Sequence, residues 1–286
     1  MSILVTGSKG GLGKSLVPIL RAHYDEPVIC SARISSDEGE NFSCDFTDKL
    51  DVAHLIKIVR PRLIFHLVGS FTGQFEHDFQ CNTLAAKYIF DSILIENLRT
   101  RVVVFGSAAE YGVIRPSDNP VSESLPCRPV SAYGLTKAYQ TEMATFYART
   151  KNIDAVIARV FNLAMPGLSQ KLFYGKAEAM ITAFKNGEVT QLEFGNLESE
   201  RDYIELDRAA EQLLSIAEHG IAGEIYNVGS GISRKMRSLL TEMLIKEGVP
   251  DAIIVESSPD VIKGKGIDVP IIYADIRKVS KLMSLS

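Results

Sequence analysis

A short run, Ile3-Leu4-Val5-Thr6, passes straight into Gly7-Ser8-Lys9-Gly10-Gly11-Leu12-Gly13, and a helix-period segment follows over Gly11–His23. A buried strand that enters a glycine turn and then a helix strongly constrains the fold. Gly7, Gly10 and Gly13 permit a tight turn, close approach of a pyrophosphate, and close packing of helix on strand. The helix start then offers free N–H groups and a positive dipole end to an anion.

The pattern continues in kind. Apolar runs at Pro27–Ser31, Leu63–Val68, Val102–Gly106 and Ala155–Phe161 read as buried strands. Helical periodicity separates them at Leu50–Val59, Phe79–Glu96 and Ala132–Arg149. This alternation predicts an α/β fold, a doubly wound parallel sheet with helices on both faces. Ligands of such sheets bind beyond the carboxyl ends of the strands. After Asn162 the rhythm loosens, with helices expected at Lys171–Lys185, Leu206–His219 and Met236–Lys246 and short strands near Leu192 and Ile225. We read residues 1–161, with a return at about 202–230, as a dinucleotide-binding domain. Residues 162–201 and 231–286 read as a smaller α/β substrate lobe.

At 286 residues the chain is long enough to bury a core without disulfide or metal staples. Hydrophobic residues at 46% and charged residues at 23% exclude a mainly disordered chain. The 31 basic and 35 acidic residues include no basic block, so neither nucleic acid nor an anionic membrane is an expected partner. No apolar run reaches membrane-spanning length, and the N-terminus does not read as a secretory leader. Cys30, Cys44, Cys81 and Cys127 are widely spaced and read as free thiols of a cytoplasmic protein, with no metal site expected.

The glycine turn has two readings. Lys9 to Ser15 fits K-G-G-x-G-K-[ST] and resembles the deviant P-loop of chromosome-partitioning ATPases. That chemistry needs an acid after a later strand to hold Mg²⁺. The runs ending at Val68 and Phe105 instead lead into Gly69-Ser70 and Gly106-Ser107, which favours a dinucleotide. An NAD site usually has Asp or Glu at the end of the second strand. Here that strand ends Ser31-Ala32-Arg33, with no acid before Asp37, and Lys9 sits in the turn. Ser31, Arg33 and Lys9 suit a 2′-phosphate, so NADP(H) is expected over NAD(H).

Ser131-Ala132-Tyr133-Gly134-Leu135-Thr136-Lys137 opens a helix with Ser131 as N-cap. Tyr133 and Lys137 share a helix face. A phenol with pKa near 10 transfers protons poorly at neutral pH, and a neighbouring ammonium lowers that barrier. Tyr147 and Lys151 repeat the spacing about 21 Å further along, at the helix end away from the active edge, and read as a surface pair. Ser107, at a strand's carboxyl end, is placed to share a substrate oxygen with Tyr133.

In this combination the sequence resembles the extended short-chain dehydrogenase/reductases, NAD(P)-dependent nucleotide-sugar epimerases, dehydratases and ketoreductases of Rossmann type. The glycine turn, Phe65-His66-Leu67-Val68-Gly69, Asn82, Ser107–Gly112 and Tyr133-x-x-x-Lys137 fall in family order. Arg159-Val160-Phe161-Asn162, Arg201-Asp202-Tyr203, Tyr226-Asn227-Val228-Gly229-Ser230-Gly231 and Asp268-Val269-Pro270 extend the likeness, closest to GDP-4-keto-6-deoxymannose reductases. The resemblance implies Tyr133 as general acid, Lys137 on the nicotinamide ribose and Ser107 on the substrate oxygen. It places Asp45 and Phe46 beside adenine, Leu12, Leu67 and Val160 along the cofactor, and Ser70, Asn162 and Arg201 at the substrate. It also implies a homodimer through Phe79–Glu96 and Ala132–Arg149, which carry Tyr88, Ile89, Ile93, Tyr139, Met143 and Phe146.

The departures narrow the activity. Family 4,6-dehydratases carry a carboxylate within two positions after the catalytic Ser or Thr, where this chain has Ala108 and Ala109. Family epimerases hold NAD tightly, which an acidic second-strand end favours. An NADP-dependent reductase of a 4-keto-6-deoxy nucleotide sugar is therefore expected. A nucleotide-sugar 4-epimerase is the nearest rival, and a P-loop ATPase and a redox-sensing binding protein are more distant ones. Glu110 is the one nearby carboxylate able to rescue dehydration.

Overall fold

The structure is a computed structural model, and it describes residues 1–33, 41–256 and 269–285. The chain opens with β1 (Ile3–Thr6), α1 (Gly11–His23), β2 (Val28–Ala32), β3 (Asn41–Ser43), α2 (Lys49–Val59) and β4 (Leu63–His66). There follow α3 (Phe75–Phe79), a π-helical turn at Gln80–Leu84, α4 (Ala85–Ile95), β5 (Arg101–Ser107), α5 (Ala132–Lys151) and β6 (Asp154–Val160). The remainder is β7 (Asn162–Ala164), α6 (Phe173–Lys185), β8 (Leu192–Phe194), β9 (Glu200–Glu205), α7 (Leu206–His219) and β10 (Ile225–Val228). The chain then adds β11 (Ser233–Lys235), α8 (Met236–Lys246), β12 (Ile254–Glu256), β13 (Ile271–Ile272) and α9 (Arg277–Met283).

Seven strands form one parallel sheet in the order β3-β2-β1-β4-β5-β6-β10. This is the Rossmann-type doubly wound arrangement with one added strand, and its order reverses between β1 and β4. Strand alternation builds two cores. Ile3 and Val5 face α1, α7 and α9, meeting Leu16, Leu20, Leu213 and Val279. Leu4, Val102 and Val104 face α2, α4 and α5, meeting Leu55, Ile89 and Ala144. Burial on both faces explains why the strands read as continuous apolar runs.

Beyond β6 a small sheet runs β11-β9-β13, with β7 also paired to β9, and β12 pairs with β8. A separate core joins Ala177 and Ile181 of α6 to Leu240 and Leu244 of α8.

Three sequence expectations need correction. The single helix expected over Phe79–Glu96 is interrupted by the π-helical turn at its start. The strand expected to reach Val68 ends at His66, leaving 67–70 as an open loop. Tyr147 is not a surface residue paired with Lys151: it is buried, and its hydroxyl donates to Asp91 Oδ1 at 2.6 Å. It lies on the face of α5 that packs on the sheet, beside Phe90.

Candidate active site

The first part of the site forms at the sheet's reversal point. Gly7 has φ +70°, and a Cβ there would lie 3.0 Å from the Leu67 carbonyl carbon and the Val68 nitrogen. At Gly13 a Cβ would fall 2.6 Å from the carbonyl oxygens of Gly7 and Ser8, so only glycine lets α1 start this close to the turn. Gly10 caps α1 with no side chain, leaving the helix start suited to an anion. The adjoining cleft has a volume of about 500 Å³. Gly7, Lys9 and Gly10 line it from the turn, Arg33 from the end of β2, Asp45 and Phe46 from beyond β3, and Leu67 and Ser70 from beyond β4.

Of the residues expected at the cofactor, Leu12, Gly13, Ser31, Tyr133, Lys137 and Val160 do not line that cleft. Ser31 is buried in the sheet, where its carbonyl accepts from the Ser8 N–H and hydroxyl at 3.2 Å. Leu12 and Val160 pack on the core beneath, and Gly13 serves the helix–turn contact. Asp45 accepts from the Thr47 N–H and hydroxyl at 2.9 and 2.7 Å. Those bonds hold its carboxyl below the ordinary range, with the Arg33 charge adding to the effect. Asp37 and Asp268 lie outside the described residues.

The groups expected to react sit where β5 and α5 meet. Ser107 ends β5 and caps a 3₁₀ turn over Ala108–Glu110, its Oγ accepting from the Ala109 N–H at 3.2 Å. Ser131 caps α5 as the sequence predicts, accepting from the Gly134 N–H at 3.0 Å. A Cβ on Gly134 would fall 2.4 Å from the Ala109 carbonyl oxygen, so the first turn of α5 rests directly on the Ser107 turn. This contact brings Tyr133 to the Ser107 hydroxyl. Burial raises the Tyr133 phenol above its ordinary pKa, and a hydrogen bond from Ser107 acts the other way.

Lys137 is almost fully buried, and desolvation brings its pKa down to about 8, opposed by the charge of Glu110. Its Nζ donates to Gln140 Oε1. Burial is the leading influence on the Tyr133 phenol, and the Lys137 ammonium is engaged by Gln140.

Supporting residues were only partly legible. Asn82, placed by family order, lies in the π-helical turn. Its Oδ1 accepts from the Ser70 N–H at 2.7 Å, and its Nδ2 donates to the Ser70 carbonyl and to Thr136 Oγ1. Asp78, which the sequence reading missed, is buried and accepts from the Thr72 N–H and hydroxyl and the Gly73 N–H. It shapes the loop that sets the Phe71 ring 4.9 Å from the Tyr133 ring. No spacing marks Asp78; a carboxylate at the start of a short helix after a polar loop is the only local signal.

Glu110 does not face a substrate. Oε1 accepts the Ser107 N–H at 2.7 Å, and Oε2 takes Nε and Nη2 of Arg159 at 3.0 and 2.8 Å. Both side chains are buried. Beyond β6, Asn162 Nδ2 donates to the Asp202 carbonyl at 3.0 Å, and Arg201 donates to the Glu200 carbonyl. The Asp202 carboxylate ties down Ser230, Gly231 and Ala274 through their N–H groups. Among the described residues no helix is long and apolar enough to cross a membrane, and no group of His, Cys, Asp or Glu is arranged to hold a metal ion.

A parallel sheet with an anion-fitted glycine turn, and a Tyr–Ser pair beside a buried Lys, define a dinucleotide-dependent enzyme of short-chain type. The chain belongs to the NAD dependent epimerase/dehydratase family, whose family model matches residues 3–229. It is 25% identical over 245 residues to GDP-6-deoxy-D-mannose reductase of Pseudomonas aeruginosa, covering 83% of this chain and 77% of the relative. It is 25% identical over 267 residues to UDP-glucose 4-epimerase of Mycolicibacterium smegmatis, covering 88% and 84%. The fold matches the solved structure of RMD from Pseudomonas aeruginosa complexed with NADPH, with a TM-score of 0.84 at 21% identity, over 99% of this chain and 91% of that one. The P-loop reading falls with the family match: Lys14 is exposed on α1, and β4 and β5 lead into Leu67 and Ala108 rather than an acid.

Proposed function

We propose that the protein is an NADP-dependent reductase of a 4-keto-6-deoxy nucleotide sugar, a cytoplasmic enzyme working as a homodimer. The observation that carries this reading is the Ser107–Tyr133 pair followed by Ala108 and Ala109, with the next carboxylate, Glu110, sealed against Arg159. Elimination of water needs a proton donor at the leaving oxygen, and this turn has none to offer.

The glycine turn suits a dinucleotide, since a Cβ at Gly7 or Gly13 would crowd the backbone that forms it. Gly7, Gly10 and the start of α1 would hold the pyrophosphate, and Lys9 and Arg33 would take a 2′-phosphate. Bound there, the cofactor supplies hydride to carbon-4. Tyr133, kept protonated by burial, is poised to donate a proton to the carbonyl oxygen. Ser107 orients that oxygen. Lys137 lends positive charge as the phenol gives up its proton. Asn162 and Arg201 would hold the sugar and its diphosphate.

The deciding assay is NADPH oxidation against a panel of 4-keto-6-deoxy nucleotide sugars, with GDP-mannose as a 6-hydroxy control. Reduction of a keto sugar and inert GDP-mannose are expected; loss of water from GDP-mannose would overturn the reading. The likeness to a 4-epimerase supports a second reading, for which oxidised NAD would co-purify tightly bound and UDP-glucose would be converted without added cofactor.

A further inference from the structure

The proposed reaction gives no part to Glu110, a charged group beside the reacting residues. A fully buried carboxylate–guanidinium pair is weak evidence for stability, because apolar residues of similar volume often replace such pairs without loss. Here the surroundings are shaped to keep it. A Cβ on Gly106 would fall 2.5 Å from Glu110 Oε1, so β5 lacks a side chain where the carboxylate tucks in. The Arg159 guanidinium lies over the Tyr111 ring, 4.6 Å from its centroid.

One of the three reacting residues is bonded to this carboxylate, and a second feels its charge. Ser107 is bonded to it through the main chain. Lys137 is the other: burial favours loss of its proton, and Glu110 is the negative charge that opposes this. The other titratable groups around them are His66 at the end of β4, held neutral by burial, Tyr133 on the same helix, and Arg159 on β6, which faces Glu110.

We propose that Glu110 is a positioning residue: held by Arg159, it fixes the main chain at Ser107 and supplies the counter-charge for the Lys137 ammonium. This rests on the reading of Ser107, Tyr133 and Lys137 as the reacting groups, but its first test needs no substrate.

In protein labelled with ¹³C-lysine, the Lys137 side-chain resonance, assigned with Lys137→Arg, should titrate near pH 8. Glu110→Gln keeps an acceptor for the Ser107 N–H and removes the charge, so that titration should move down by about one pH unit. Glu110→Asp, which keeps the charge, should restore it. With NADPH and a 4-keto-6-deoxy nucleotide sugar, Glu110→Gln should lower kcat roughly tenfold, with the alkaline limb shifted down in pH, while KM changes less than about twofold. If Glu110→Gln fails to fold, Glu110→Gln with Arg159→Met leaves no unpaired buried charge; because the neighbouring cation is lost as well, the Lys137 titration should move down by less than in the single variant. An unchanged Lys137 titration in the folded variant overturns the proposal. A shifted titration with no turnover of any keto sugar upholds the role of Glu110 and rejects the substrate reading instead.

Discussion

Asn82 Nδ2 donates to Thr136 Oγ1 at 2.9 Å, tying the π-helical turn to the stretch of α5 between Tyr133 and Lys137. The same amide holds the Ser70 main chain, so one side chain links the cofactor cleft to the reacting groups. Asn82→Ala removes three hydrogen bonds, one of them to the buried Thr136 hydroxyl. It should lower stability by roughly 2–3 kcal/mol, read from chemical denaturation, and reduce turnover. Native stability in that variant would show that the link carries nothing.

Tyr133→Phe should lower turnover by about 10²–10⁴-fold, because it deletes the proton donor. NADPH binding, followed by fluorescence, should stay near native, since no phosphate contact is lost. Tyr147→Phe is the control: it gives up the bond to Asp91 and should cost about 1 kcal/mol of stability with turnover intact. Native-like turnover in Tyr133→Phe would sink the assignment.

Arg33→Ala and Lys9→Ala should each weaken NADPH roughly tenfold or more while leaving NADH nearly unchanged. Only NADPH carries the 2′-phosphate those cations would meet. Equal losses for both cofactors, measured by calorimetry, would refute the NADP preference.

His66 sets an acid limit on the fold. It is fully buried, bonded to Thr6 Oγ1 at 2.9 Å, and desolvation brings its pKa down to about 3. Its folded pKa lies below its unfolded value of 6.5, so the unfolded chain binds the extra proton first. Stability is full above about pH 6.5 and falls by up to about 1.4 kcal/mol for each unit below it. In His66→Gln that slope should flatten between about pH 6.5 and 5 in denaturant titrations; an unchanged slope would exclude His66 as its source.

Of the residues expected at a dimer face, Ile89 and Ile93 are buried against the sheet, whereas Tyr139 and Phe146 are exposed. Leu94 and Ile95 add to the apolar surface of these helices. Light scattering at micromolar concentration should give twice the 31.4 kDa chain mass, and charge placed at Phe146 should lower it. A monomer from the unaltered chain would exclude the dimer.

The sequence exposed the parts whose chemistry is local. The strand–glycine–helix start of Ile3–His23 appears in the structure with the same bounds, because the turn admits only glycine where the backbone crowds. Leu206–His219 and Met236–Lys246 were equally legible from periodicity. The short strands β7, β9, β11 and β13 were not, since runs of two to six residues show little alternation. Ser31 was misplaced for a related reason: type and position in the chain suggested a phosphate ligand, but pairing on both sides of β2 buries its side chain. Glu110 looked like a spare acid because nothing in its neighbourhood of sequence reveals Arg159, forty-nine residues away.

The Glu110–Arg159 pair also divides the site by its response to ionic strength. Mobile ions do not reach a carboxylate and guanidinium buried this completely, so the field at Ser107 and Lys137 is the same in dilute buffer and in concentrated salt. Lys9 and Arg33 stand at the open rim of the cleft, where salt screens every charge. On the proposed function, capture of a phosphate-bearing ligand would thus be tied to the surrounding medium, and the chemistry behind it insulated from that medium.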